Sequence, residues 1–136
     1  MTMTASFTGS IVPPVKFTLE PGVPNLIRGY SDSEVRIGGH SVRGSCIVTA
    51  DTLITQWEPQ SFAQLESAHL EALLALNPEL VVLGSGPTQQ FAPGEIRALL
   101  AQRGVGLEVM QLGAACRTFN VLVQEERRVA AGLFLR

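Results

Sequence analysis

Cys116 and Asn120 stand one helical turn apart in the segment Gly113-Ala114-Ala115-Cys116-Arg117-Thr118-Phe119-Asn120, so on a helix they share a face. Small residues at the start of such a helix let its backbone approach another group closely. A thiol in the first turn sits where the helix macrodipole favours a thiolate. Thr118 and Asn120 are mediocre helix formers, which suggests selection by something other than propensity. A nucleophilic cysteine needs a base, however, and neither His40 nor His69 has a local relationship to Cys116. A cysteine among alanines also reads as a small buried hydrophobe.

A second candidate follows the apolar run Leu80-Val81-Val82-Leu83. There Gly84-Ser85-Gly86-Pro87-Thr88 occupies the place, beyond a strand's carboxyl end, where open α/β sheets take ligands. Its N–H groups could face an anion, yet Gln89 stands where a dinucleotide fingerprint wants glycine and no Gly-Lys-Ser/Thr follows. The same glycines serve equally well to let a strand exit tightly. Glu108 interrupts another apolar strand and projects opposite Leu107 and Val109. If buried it needs a partner, and Arg117 is the candidate, either as a structural ion pair or beside an acid/base group. His69, in the apolar stripe of its helix, reads as a core histidine and His40 as a solvated turn residue. Without clustered thiols or carboxylates they make no metal site, and no metal or cofactor is expected.

The elements that would position these groups form two halves. Segments 15–19 and 53–57 each read as a strand, while 26–30, 34–37 and 42–49 are short and rich in β-branched residues. Gly29, Gly38-Gly39 and Gly44 punctuate them as in an antiparallel meander. From residue 59 onward helices and strands alternate. A helix opens with Ser61 and Gln64 spaced as a capping box, carries Phe62, Leu65, His69, Leu73 and Leu76 on one stripe, and stops at Asn77-Pro78. Then follow a strand over 80–83, a helix over 93–103, a strand over 105–110, a helix over 114–126 and a closing strand over 128–134. That order implies parallel pairing. The expected architecture is an N-terminal meander joined to an α/β layer, one domain over 15–136 with a frayed arm over 1–14.

Bulk properties narrow the function. The 136 residues carry a net charge of −2 and a single lysine, Lys16, and no basic cluster exists beyond Arg127-Arg128. Nucleic acid and anionic membrane surfaces are therefore not expected partners. Mean hydropathy is high at +0.24, yet no apolar run approaches the roughly 18 residues of a membrane span, so direct membrane insertion is not expected. The excess implies a deeply buried sheet or an apolar surface kept for a partner. Residues 1–9 lack the basic start and apolar block of a secretory signal, and two distant cysteines fit reduced thiols in a cytoplasm.

Four pieces of sequence resemble one family: Ile27-Arg28-Gly29-Tyr30 with Val35-Arg36-Ile37-Gly38-Gly39; Gly44-Ser45 running to Trp57; Leu83-Gly84-Ser85-Gly86; and Glu108-Val109-Met110 leading into Ala114-Ala115-Cys116-Arg117-Thr118-Phe119-Asn120-Val121-Leu122, continued by Glu126-Arg127-Arg128-Val129-Ala130-Ala131. This is the small domain shared by uncharacterised bacterial proteins and the mitochondrial NADH:ubiquinone oxidoreductase complex assembly factor 3. The resemblance implies a three-layer α/β fold with a mixed central sheet, no established activity or cofactor, and assembly of a respiratory complex through protein contacts. Where the family often has Asp-Thr, this chain has Gln111 and Leu112, which weakens an enzymatic reading more than a scaffolding one. The expectation is a non-enzymatic binding protein whose partners are respiratory-complex subunits or assembly factors. Its surface would comprise Gly84, Ser85, Gly86, Thr88, Glu108, Ala114, Ala115, Cys116, Arg117 and Asn120. The alternative is a small-molecule protein or enzyme using the crevice between those two segments. An exposed meander strand could also pair across a homodimer.

Overall fold

The computed structural model describes residues 15–17 and 23–136; the arm expected over 1–14 and the end of the strand expected over 15–19 lie outside them. Among the described residues the strands are β1 (Val15–Phe17), β2 (Ile27–Tyr30), β3 (Val35–Ile37), β4 (His40–Val42), β5 (Cys46–Val48), β6 (Leu53–Thr55), β7 (Leu80–Ser85), β8 (Gly106–Met110) and β9 (Val129–Phe134). The α-helices are α1 (Leu70–Leu74), α2 (Gly94–Gln102) and α3 (Leu112–Gln124).

The central sheet runs β1-β6-β5-β9-β7-β8, and β2-β3-β4 form a separate three-stranded meander. The central sheet is mixed because β9 joins two halves. It lies antiparallel to β5, with Ile47 opposite Gly132, and parallel to β7, with Leu83 opposite Gly132. The β7–β8 pair is parallel, as strand–helix–strand order requires. All six β9 residues are buried. A side chain at Gly132 would lie 2.9 Å from both Leu83 Cδ2 and Trp57 Cζ3, so glycine leaves room for the indole. Trp57 in turn packs on Phe134 with ring centroids 5.2 Å apart.

Two cores flank this sheet. On one face Phe62, Leu65, Leu70, Leu73, Ile96 and Leu100 pack with Val81, Leu83 and Ala130. On the other, Ala115, Cys116, Phe119 and Val123 of α3 meet Val82, Ala131 and Leu133, together with Ile27, Val35 and Ile37 of the meander. Helices on one side, a mixed sheet between, and α3 with the meander beyond make the three α/β layers that the family resemblance implied.

Four local readings change. The segment over 42–49 is two strands: β4 ends at Val42 and β5 begins at Cys46, and the turn between them carries the chain from one sheet to the other. Ser45 holds this crossing by donating its hydroxyl to the Trp57 carbonyl at 2.9 Å. The helix expected after Ser61 is two 3-10 turns, Phe62–Gln64 and Ser67–His69, followed by the short α1. Leu65 is extended (φ −68°, ψ 128°) and breaks the winding, while Phe62, Leu65, Leu70 and Leu73 still reach one core. Ser61 makes no side-chain cap. The capping box is Glu66 with His69, whose Nδ1 accepts from the Glu66 N–H at 2.9 Å. His69 is thus a half-buried cap residue, with its side chain 15% exposed.

Candidate functional site

α3 begins at Leu112, and Gln111 caps it by accepting from the Gly113 N–H at 2.7 Å. That start is seated directly on the turn after β7. The Leu112 N–H donates to the Gly86 carbonyl at 2.8 Å. A Cβ on Gly84 would lie 3.1 Å from Ala115 Cβ, 3.3 Å from Leu133 Cδ2 and 3.5 Å from Leu112 Cα. Gly84 and Ala115 therefore form a close helix–sheet contact, and the place expected to hold a crevice is filled by packing. Gly86 adopts φ +93° with the Arg136 backbone 3.1 Å from where a side chain would begin, so only glycine suits it.

Ser85 is fully buried and saturated. Its hydroxyl donates to the Thr88 carbonyl at 2.8 Å, has the Met110 carbonyl in reach at 3.2 Å, and accepts from the Gln90 N–H at 3.1 Å. The Gln90 amide closes the loop on the Ser85 carbonyl at 2.9 Å. Such a hydroxyl holds a loop in shape and offers little to a ligand.

Cys116 is 3% exposed and sits in the second turn of α3, one turn later than the sequence reading placed it. Burial pushes its thiol up to about 12, with only the Arg117 charge opposing. Cys46, in the same core, is pushed to about 12 by burial and by the neighbouring Cys116. Reactive thiols have values near or below about 8.5, so both cysteines pack as apolar groups.

Asn120 clamps the meander to α3. Its Oδ1 accepts from the Ile27 N–H at 2.8 Å, and its Nδ2 donates to the Ile27 carbonyl at 2.9 Å. This accounts for a poor helix former in mid-helix. Thr118 turns its hydroxyl to the Met110 sulfur at 3.3 Å. Tyr30 lies over the start of α3, where its hydroxyl occupies the space a Gly113 side chain would need.

Thr88, Glu108 and Arg117 are exposed, and Ala114 is half-buried. The ion pairs recorded among the described residues do not join Glu108 to Arg117. Glu108 alternates with Leu107 and Val109 as expected, but its side chain is exposed on β8, the last strand of the sheet among the described residues. Thus Gly84, Ser85, Gly86, Ala115 and Cys116 come together in a packed seat, Asn120 ties that seat to the meander, and the rest lie outside it. Among the described residues no group of three or more His, Cys, Asp or Glu could hold a metal ion.

Sequence reasoning passed over the surface beside β8. A cavity of about 370 Å³ lies between β8 and α2, bordered by Phe91, Ala92, Arg97, Ala101, Val105 and Glu108. Phe91 is 84% exposed. The available signal was a large aromatic in the loop before α2, outside any apolar stripe.

Fold and seat together define a three-layer α/β domain whose most distinctive segments fasten one long helix between a mixed sheet and a meander. The chain belongs to the family described as "protein of unknown function (DUF498/DUF598)", whose model matches residues 27–134. It is 33% identical over 116 residues to the Danio rerio protein named NADH dehydrogenase (ubiquinone) 1 alpha subcomplex assembly factor 3, covering 84% of this chain and 66% of that protein. It is 38% identical over 66 residues to a Francisella tularensis protein named "13 kDa major membrane protein", covering 48% of this chain and 54% of the relative. The chain therefore spans less than two thirds of either curated relative. The NMR structure of a Xanthomonas campestris protein superposes with a TM-score of 0.77 at 37% identity, covering 86% of this chain and 89% of that one. Among the described residues no helix is long and apolar enough to cross a membrane.

Proposed function

We propose that this chain is a non-enzymatic, assembly-factor-like protein of the cytoplasm that acts through protein contacts, with subunits or assembly factors of a respiratory complex as its partners. The observation that carries the reading is the 33% identity to a protein named as an assembly factor, extending over 84% of this chain. Two features of the molecule support it. The thiol that an enzymatic reading would use is buried and held protonated, and the glycine-rich turn is committed to seating α3. Of the residues singled out by sequence, Thr88, Glu108 and Arg117 are the exposed ones, open to a partner.

Deletion of the gene in its native cells tests the reading, with assembled NADH dehydrogenase followed on native gels. The expected result is less assembled complex, restored by the wild-type chain and equally by Cys116→Ala. Unchanged assembly in the deletion overturns the proposal. Restoration by wild type but not by a folded Cys116→Ala returns the cysteine to a chemical role.

A further inference from the structure

Among the described residues β8 closes one side of the central sheet and pairs with β7 alone. Two hydrogen bonds fix which backbone groups turn inward. The Gly106 N–H donates to the Glu79 carbonyl at 3.0 Å, and the Met110 carbonyl lies 3.2 Å from the Ser85 hydroxyl, both on the β7 side. Strand alternation then turns the N–H and C=O groups of Leu107 and Val109 outward. The Gln89 side-chain amide donates to the Val109 carbonyl at 3.3 Å in an exposed bond. A side chain thus does there what a neighbouring strand would do. Alongside runs the cavity of about 370 Å³ with the exposed Phe91 at its border, and Glu108 carries a negative charge in mid-strand.

We infer that this edge is a docking site for an extended segment of a partner protein that alternates apolar and basic residues, adding a strand beside β8. Leu107 and Val109 supply main-chain hydrogen bonds, the Phe91–Val105 trough takes an apolar side chain, and Glu108 faces a lysine or arginine. A second copy of the chain fits poorly in each antiparallel register. Pairing Leu107 with Val109 places Glu108 directly opposite its twin, about 4.5 Å apart at Cα. Centring on Leu107 requires the Val105 N–H, which already donates to the Leu100 carbonyl at 3.0 Å. Centring on Val109 runs into Gln111, the cap of α3.

The inference deepens the protein-contact reading and rests on it for the partner's existence, but its test involves no respiratory complex, so either can fail alone. The purified chain is titrated by amide NMR with two capped peptides, Thr-Val-Lys-Val-Lys-Val-Thr and its counterpart with glutamate for lysine. The lysine peptide is expected to shift the Leu107 and Val109 amides and slow their exchange, and the glutamate peptide to bind about threefold to tenfold more weakly. Glu108→Lys should invert that preference, and Gln89→Ala, which frees the Val109 carbonyl, should tighten binding. Four outcomes overturn the inference: no shift with millimolar peptide, equal binding of both peptides, shifts confined to β1 or the meander, or self-association that protects Leu107 and Val109.

Discussion

Replacing Asn120 with alanine removes both hydrogen bonds that hold the meander to α3. Each is short, 2.8 Å and 2.9 Å, and each satisfies a backbone group of Ile27. At about 0.5–1.5 kcal/mol apiece the pair contributes about 1–3 kcal/mol. Alanine returns about 0.6 kcal/mol through better helix propensity, leaving a net loss of about 0.4–2.4 kcal/mol. For a chain of this length that is a fall in Tm of roughly 2–10 °C, read by calorimetry. The loss should also be local: hydrogen exchange at Ile27 and at Gly38, whose N–H donates to the Leu26 carbonyl, accelerates more than exchange in β7. Asn120→Asp keeps the acceptor for the Ile27 N–H but sets a carboxylate against the Ile27 carbonyl, so it should be at least as unstable as alanine. A Tm within about 1 °C of wild type for Asn120→Ala, with exchange at Ile27 unchanged, refutes the clamp.

Gly84→Ala should cost about 1–3 kcal/mol in denaturant unfolding, because the new methyl meets Ala115 at 3.1 Å and the seat has little room to yield. Both thiols should resist iodoacetamide at pH 8 in the native chain and react once it is unfolded in urea. Because their folded values are raised from 9.0 to about 12, the stability they hold is intact below pH 9 and falls above it, by up to about 1.4 kcal/mol per pH unit for each thiol. Unfolding from pH 8 to 11 should show this slope reduced in Cys46→Ala. Glu79 accepts from the Arg128 N–H at 3.0 Å and pairs with Arg127 Nε at 3.2 Å. The Arg128 hydrogen bond, chiefly, holds its carboxyl below the ordinary 4.5. Its stabilisation is therefore present above pH 4.5 and lost as pH falls through the lower folded value, and Glu79→Gln should flatten that acid limb in a pH-dependent melt.

Local signals read well wherever one element answers to its own sequence. Four consecutive apolar residues between turn signals suit a strand covered on both faces, and Leu80–Ser85 is one. Pro93 and Gly104 bracket α2 closely. The segment over 62–76 misled because an apolar spacing of three and four suits one helix as well as a winding path of short turns, and both deliver Phe62, Leu65, Leu70 and Leu73 to the same core. Long-range facts were out of reach. Asn120 was conspicuous as a poor helix former, but its partner lies 93 residues away. Alternation placed Glu108 opposite Leu107 and Val109, yet nothing local says that β8 ends the sheet. A Gly-Ser-Gly turn after a buried strand has the same spelling whether it cradles an anion or admits a helix, and only the position of Ala115 decides between them.

The placement of β9 also sets an order of events during synthesis. The sheet's two halves, β1-β6-β5 and β7-β8, have no strand in common until residues 129–134 are made. A nascent chain lacking those residues displays two unpaired backbone margins, along β5 and along β7, each flanked by apolar side chains that later become the two cores. The central sheet can therefore be completed only after nearly the whole of this sequence has emerged from the ribosome. Until then the growing polypeptide is at its most vulnerable to proteases and to pairing with other nascent chains.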